Sequence, residues 1–113
     1  MVSKKICYAC DLVDNPELIE LYKRYHAKDC TWPEITKSIK DSGIIDMEIY
    51  LFANRLFMIM EVDESYTPER KQMMDAANPK VQEWEELMSK FQQQLPNSKP
   101  GEKWKLMDKV FSL

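Results

Sequence analysis

The chain contains one histidine, His26, and proton-moving groups surround it in sequence. Tyr22 lies four residues earlier, so on a helix the two side chains share a face. Tyr25, Trp32 and Glu34 follow closely. Histidine, tyrosine and carboxylate can each pass a proton, and histidine does so nearest neutral pH. A lone histidine at a helix end can also be a solvated residue held by the helix dipole. Glu48 on a strand reads equally as an edge charge, and Trp84 on a helical stripe as core. Asp75 and Asn78 fit the polar caps of helices. Cys7 and Cys10 have C-x-x-C spacing, but on a strand they point to opposite faces. With Cys30 the thiol count is odd, so reduced thiols are expected, and Cys7 and Cys10 read as small buried fillers rather than a metal or redox pair.

The elements that must position these groups follow from periodicity. Lys5–Leu12 alternates and reads as a strand. Asp14-Asn15-Pro16-Glu17 opens a helix running to about Ala27 or Lys28, with Leu18, Leu21, Tyr22 and Tyr25 at helical spacing. Thr31-Trp32-Pro33-Glu34 opens a second, which Ser42-Gly43 ends. Asp46–Phe52 and Leu56–Val62 read as a hairpin across Ala53-Asn54-Arg55, the second strand apolar on nearly both faces and therefore central. Thr67-Pro68-Glu69 starts a helix to about Ala77. After Asn78-Pro79 a longer one is expected over Lys80–Gln94. Residues 96–101 read as a loop, and Trp104–Leu113 as a last strand.

The order is strand, broken helix, hairpin, broken helix, strand, which is the α+β, ferredoxin-like βαββαβ arrangement. A four-stranded antiparallel sheet with helices on one face leaves the other face apolar. A second copy would cover it, giving a homodimer of the dimeric α/β-barrel type. The 113 residues suit one domain, 1–113, with one modest core.

Composition narrows the function. Two glycines and no G-x-G-x-x-G or G-x-x-x-x-G-K leave nucleotide cradling without support. A net charge of −3, from 16 basic and 19 acidic side chains, is a poor footprint for nucleic acid or an anionic membrane. No apolar run approaches the roughly 20 residues of a membrane span. The apolar content after Met1-Val2-Ser3-Lys4-Lys5 is too short and mixed for a signal peptide, and a cytoplasmic location is expected.

Tyr22-Lys23-Arg24-Tyr25-His26 followed by Trp32-Pro33-Glu34-Ile35 resembles the L-rhamnose mutarotase family, which reads Y-x-x-x-H and then W-P-E in its first helical region. Met47-Glu48-Ile49-Tyr50, Leu56-Phe57-Met58 and Val81-Gln82-Glu83-Trp84 resemble it too. The resemblance implies an isomerase that interconverts the α and β anomers of a free monosaccharide without metal or organic cofactor. It implies His26 as proton donor, Tyr22 as sugar-binding phenol and Trp84 as the indole beside the sugar. Where the family has three residues before the W-P-E tryptophan, five stand here, Ala27–Thr31. Met47 replaces a substrate-contacting tyrosine and Glu85 a second tryptophan, which alters the pocket where hydroxyls are read. The longer loop is similar to that of fucose-utilising members, so the implied sugar is a 6-deoxy-L-hexose, L-fucose or L-rhamnose.

Mutarotation needs an acid at the ring oxygen O5 and a base at O1. His26 is expected to donate to O5. Glu48, Tyr22 or a positioned water would accept from O1. Trp84 and Trp32 would pack on the apolar face of the sugar. Fold alone leaves other readings open: a cofactor-free or haem-degrading monooxygenase, or a non-catalytic binding module.

Overall fold

Each of the four helices among the described residues begins with a proline at its first turn, where the missing N–H costs nothing. The computed structural model describes residues 3–96, 98–99 and 102–113. Its order is β1 (Lys4–Leu12), α1 (Pro16–Tyr25), α2 (Pro33–Asp41), β2 (Ile44–Phe52), β3 (Arg55–Val62), α3 (Pro68–Ala76), α4 (Pro79–Ser89), β4 (Gln92–Gln93) and β5 (Lys105–Leu106). Asn15, Thr67 and Asn78 cap α1, α3 and α4 with their side-chain oxygens, so these starts are set locally. Gly43 ends α2 at φ +98°. A Cβ there would lie 2.6 Å from Ser65 Oγ and 2.9 Å from the Tyr66 nitrogen, so glycine is required twice over.

The sheet is antiparallel in the order β2-β3-β1-β4, with β5 also on β1. The expected α+β, ferredoxin-like arrangement is therefore observed. Register lines up the triplets Met47–Met60–Ile6, Ile49–Met58–Tyr8 and Leu51–Leu56–Cys10 on the face toward the helices. Cys10, Leu12 and Leu56 pack with Tyr22, Ile35, Val81, Trp84, Met88 and Phe91 into one core cluster. Ile44, Met60, Val62 and Tyr66 form a second. Full burial of such side chains stabilises by about 1.5–3 kcal/mol each.

β2 begins two residues earlier than expected, at Ile44, and β3 one earlier, at Arg55; three further boundaries also differ. α1 stops at Tyr25 rather than Ala27 or Lys28. The His26 N–H closes back on Lys23 O at 3.2 Å, Thr31 Oγ1 takes Tyr25 O at 3.0 Å, and Asp29 sits at φ +70°. These competing partners end the helix. α4 stops at Ser89 rather than Gln94. Val13 N–H takes Phe91 O at 2.8 Å, and Gln92–Gln93 join the sheet against Leu12 and Asp11. The helical spacing of Phe91 is real, but the chain spends that residue on turning into the sheet. The last strand is not continuous over Trp104–Leu113. Its lane beside β1 is shared by β4 and β5 and ends with Met107 N–H on Cys7 O at 2.9 Å; residues 97, 100 and 101 of the expected loop lie outside the described residues.

The opposite sheet face carries Cys7, Ala9, Phe57 and Ile59, with Tyr50 54% and Phe52 85% exposed. Val110, Phe111 and Leu113 beyond β5 are also exposed.

Candidate active site

A cavity of about 770 Å³ opens between the helices and the helix-facing side of the sheet. Both core clusters contribute to its wall, through Tyr22, Trp84 and Met88 on one side and Tyr8, Met60 and Tyr66 on the other. His26, Met47 and Glu85 also line it.

The early end of α1 shapes His26. Its backbone N–H bonds to Lys23 O at 3.2 Å, while its ring Nδ1 lies 2.8 Å from Tyr22 O. A carbonyl only accepts, so Nδ1 carries the hydrogen and Nε2 is the nitrogen with a free lone pair in the neutral ring. Burial holds the imidazole below its ordinary pKa of 6.5, and the bond to Tyr22 O opposes that only in part. Neutral imidazole is therefore the resting form at pH 7.

Tyr22 stacks on the His26 ring with centroids 4.2 Å apart and rings inclined by 29°. Its side chain is 3% exposed. Burial first, then the neighbouring Cys10, pushes its phenol well above the ordinary range, against a weaker pull from the Gln92 side chain. Tyr22 thus holds its proton and serves as a hydrogen-bonding phenol rather than as a base.

Trp84 meets the His26 ring edge-on at 5.5 Å. Behind it stand Tyr25 at 6.2 Å and Trp32 at 5.2 Å, both near perpendicular. Such contacts lock the indole in one orientation.

Two expected site residues are not brought to the cavity. Trp32 supports Trp84 from outside the lining, with Lys80 Nζ 5.8 Å from its ring. Glu48 lies opposite Ile59 on the far sheet face and is exposed, because odd and even positions of β2 point to opposite sides. The C-x-x-C pair is split across the sheet as expected. Cys7, Cys10 and Cys30 are free, and burial pushes the Cys10 thiol up to about 12. Among the described residues no group of three or more His, Cys, Asp and Glu converges as metal ligands would. No described helix is long and apolar enough to cross a membrane.

The cavity also holds residues that sequence reasoning missed. Tyr8 and Tyr66 line it, and burial followed by the neighbouring Tyr8 pushes the Tyr66 phenol up to about 12. Lys71 and Asp75 of α3 line it too, paired at 2.7 Å. An i,i+4 Lys–Asp pair is an ordinary surface feature, so its spacing carries no signal of a site. Thr31, from the longer loop after His26, reaches the wall as well.

The fold and site define a small α+β domain with a histidine set among aromatic rings in an open cavity. The model of the L-rhamnose mutarotase family matches residues 5–113. An L-fucose mutarotase of Xanthomonas campestris is 42% identical over 113 residues, covering 100% of this chain and 90% of that one. A UPF0734 protein of Dictyostelium discoideum is 39% identical over 114 residues, covering 97% and 90%. The crystal structure of an L-rhamnose mutarotase from Formosa agariphila superposes with a TM-score of 0.70 at 23% identity, over 97% of this chain and 98% of that one, and shares its fold. The chain belongs to the L-rhamnose mutarotase family, and so to the isomerases that act on carbohydrates.

Proposed function

We propose that this chain, acting as a single domain, interconverts the α and β anomers of a free 6-deoxy-L-hexose, with L-fucose as the first candidate. The observation that carries this is His26: its Nδ1–H is anchored on Tyr22 O, and its ring lines the cavity beside Trp84. The 42% identity to an L-fucose mutarotase supports the choice of sugar.

The chemistry follows from that anchoring. Neutral Nε2 takes the proton from the anomeric hydroxyl. The O1 electrons form the aldehyde C=O as the C1–O5 bond breaks, and O5 takes up a proton. Because O1 and O5 sit on the same carbon, the protonated ring can give that proton to O5, so His26 is the donor there. Rotation about C1–C2 and the reverse steps deliver the other anomer. Tyr22, which keeps its proton, and Glu48, on the far face, are poor bases within one copy, which favours His26 itself or a water at O1. Trp84 takes the apolar side of the ring. Met47, Ile49 and Met58 suit the methyl group.

A second copy of the chain would cover Phe57, Ile59, Tyr50 and Phe52, giving the homodimer expected from the sequence. Three free cysteines fit a reducing compartment such as the cytoplasm.

The test is NMR saturation exchange between the anomeric protons of L-fucose and of L-rhamnose, with and without enzyme. Accelerated exchange of either sugar supports the reading. Unchanged exchange for both, and for a wider panel of free aldoses, overturns it.

A further inference from the structure

α4 sends two adjacent side chains to the cavity wall, one toward α1 and one toward α3. Trp84 and Glu85 diverge by about 100° around the helix axis. Trp84 joins the rings of α1, against His26. Glu85 faces α3, where burial and the nearby Asp75 carboxylate raise its pKa and Lys71 lowers it. The far end of the cavity is therefore built from three charged groups on two helices.

That end differs from the ordinary charged surface. Lys71 and Asp75 are 23% and 17% exposed, whereas the same i,i+4 pairing in Lys37–Asp41 leaves side chains 77% and 49% exposed. Its position is also fixed from several directions. Arg70, beside Lys71, donates to Asp41 O, Ser42 O and Ser65 O at 3.0–3.3 Å, tying the start of α3 to the end of α2. Gln82 of α4 donates to Asp75 O at 2.9 Å and to Glu85 Oε2 at 3.4 Å. Half-buried charges held in place cost desolvation, which further hydrogen bonds from a ligand would offset.

Resting on the mutarotase reading above, we propose that Lys71, Asp75 and Glu85 are the specificity-determining end of the cavity. They bind the ring hydroxyls remote from the anomeric carbon while His26 works at O1 and O5. Carboxylates accept from vicinal hydroxyls and the ammonium donates, and such charge-assisted bonds are the stronger kind. Two carboxylates against one ammonium also give the end a net negative charge, which disfavours sugar phosphates and uronates. Specificity of this type is strong, because the wrong configuration leaves charged groups unpaired.

L-fucose and L-rhamnose differ in configuration at C2 and C4, so they probe this end directly. The experiment measures KM and kcat for both sugars by NMR exchange in the wild type, Lys71→Met, Asp75→Asn and Glu85→Gln, with circular dichroism as the check of folding. Lys71→Met and Asp75→Asn are expected to raise KM for the preferred sugar by about tenfold or more, with kcat changed less than about threefold. The ratio of kcat/KM between the two sugars should fall toward one. Glu85→Gln, on the more exposed member, keeps the test open should an α3 variant fail to fold. In folded variants, a KM within twofold of wild type, or an unchanged ratio, overturns the proposal and leaves the pair as an α3 helix clamp. Exchange that the wild type itself fails to accelerate removes the mutarotase reading and this one with it, whereas an active wild type with unaltered variants removes only this one.

Discussion

The two ends of the cavity are built on different physical principles. At the α1 end, rings pack edge to face around one imidazole, charge is excluded, and the titratable groups rest neutral. At the α3 end, charges are paired and partly wet. Burial is the tool of the first end, because it pushes a histidine down and a tyrosine up and so sets an imidazole with a free lone pair beside a phenol that keeps its proton. Pairing is the tool of the second, because hydroxyls are told apart by where hydrogen bonds are satisfied. α4 joins them through consecutive residues, so a small rotation of one helix would detune both.

Substitutions can break or sharpen this contrast. The largest effect is expected at His26. His26→Ala should lower kcat for anomer exchange by about 10²–10⁴ while the fold is kept, because the acid/base group is gone. Near wild-type exchange in a folded variant would remove His26 from the chemistry. Trp84→Ala comes next. The indole is buried and meets His26, Tyr25 and Trp32, so truncation should cost about 3–5 kcal/mol of stability in urea unfolding. A loss under 1 kcal/mol would mean the ring cluster is looser than the geometry shows.

Proton linkage gives a smaller effect with a definite sign. Burial holds His26 below 6.5 in the folded chain, so on acidification the unfolded ring binds its proton first. The contribution of this residue to stability is full above pH 6.5, and it declines as pH falls from 6.5 toward the native value. The acid limb of kcat/KM should likewise lie below 6.5. A His26→Gln variant should lose the corresponding pH dependence of its melting temperature between pH 5 and 7, and the persistence of that slope would assign it to other groups. The smallest effect is expected at Glu48, on the far face of the sheet. Glu48→Gln should leave exchange within about twofold of wild type, since exposed positions away from the site tolerate change. A tenfold loss would return Glu48 to the proton path, most simply from a second copy.

Much of this was legible in the residues themselves. Asn15, Thr67 and Asn78 announce helix starts because a cap acts within three residues of itself. Gly43 announces an end through its own φ, although the close approach of Ser65 and Tyr66 demands glycine there as well. Tyr22 and His26 share a face by helical arithmetic, and the resemblance around Trp32-Pro33-Glu34 pointed to the same pair. The misread boundaries share one cause. Each ends where another partner takes the backbone bonds: distant in sequence for α4 and the last strand, as Val13 does with Phe91, and within one loop for α1, where Thr31 takes Tyr25 O. Glu48 and Trp32 were placed near the sugar by their proximity to motif residues, but strand parity turned one away and ring packing put the other behind Trp84. Lys71 and Asp75 could not be singled out, because their spacing is the same whether the helix faces water or a cavity.

The sequence by itself thus determined the order of elements, the capped helix starts, the apolar faces and the one histidine able to work near neutral pH, all of which depend on short-range spacing and side-chain chemistry. The tertiary structure decided how far the His26 ring is buried, which phenol stays protonated, and that a lysine–aspartate pair from α3 shares a cavity with Trp84. Those depend on burial and on contacts between segments far apart in the chain, and local spacing holds no record of either.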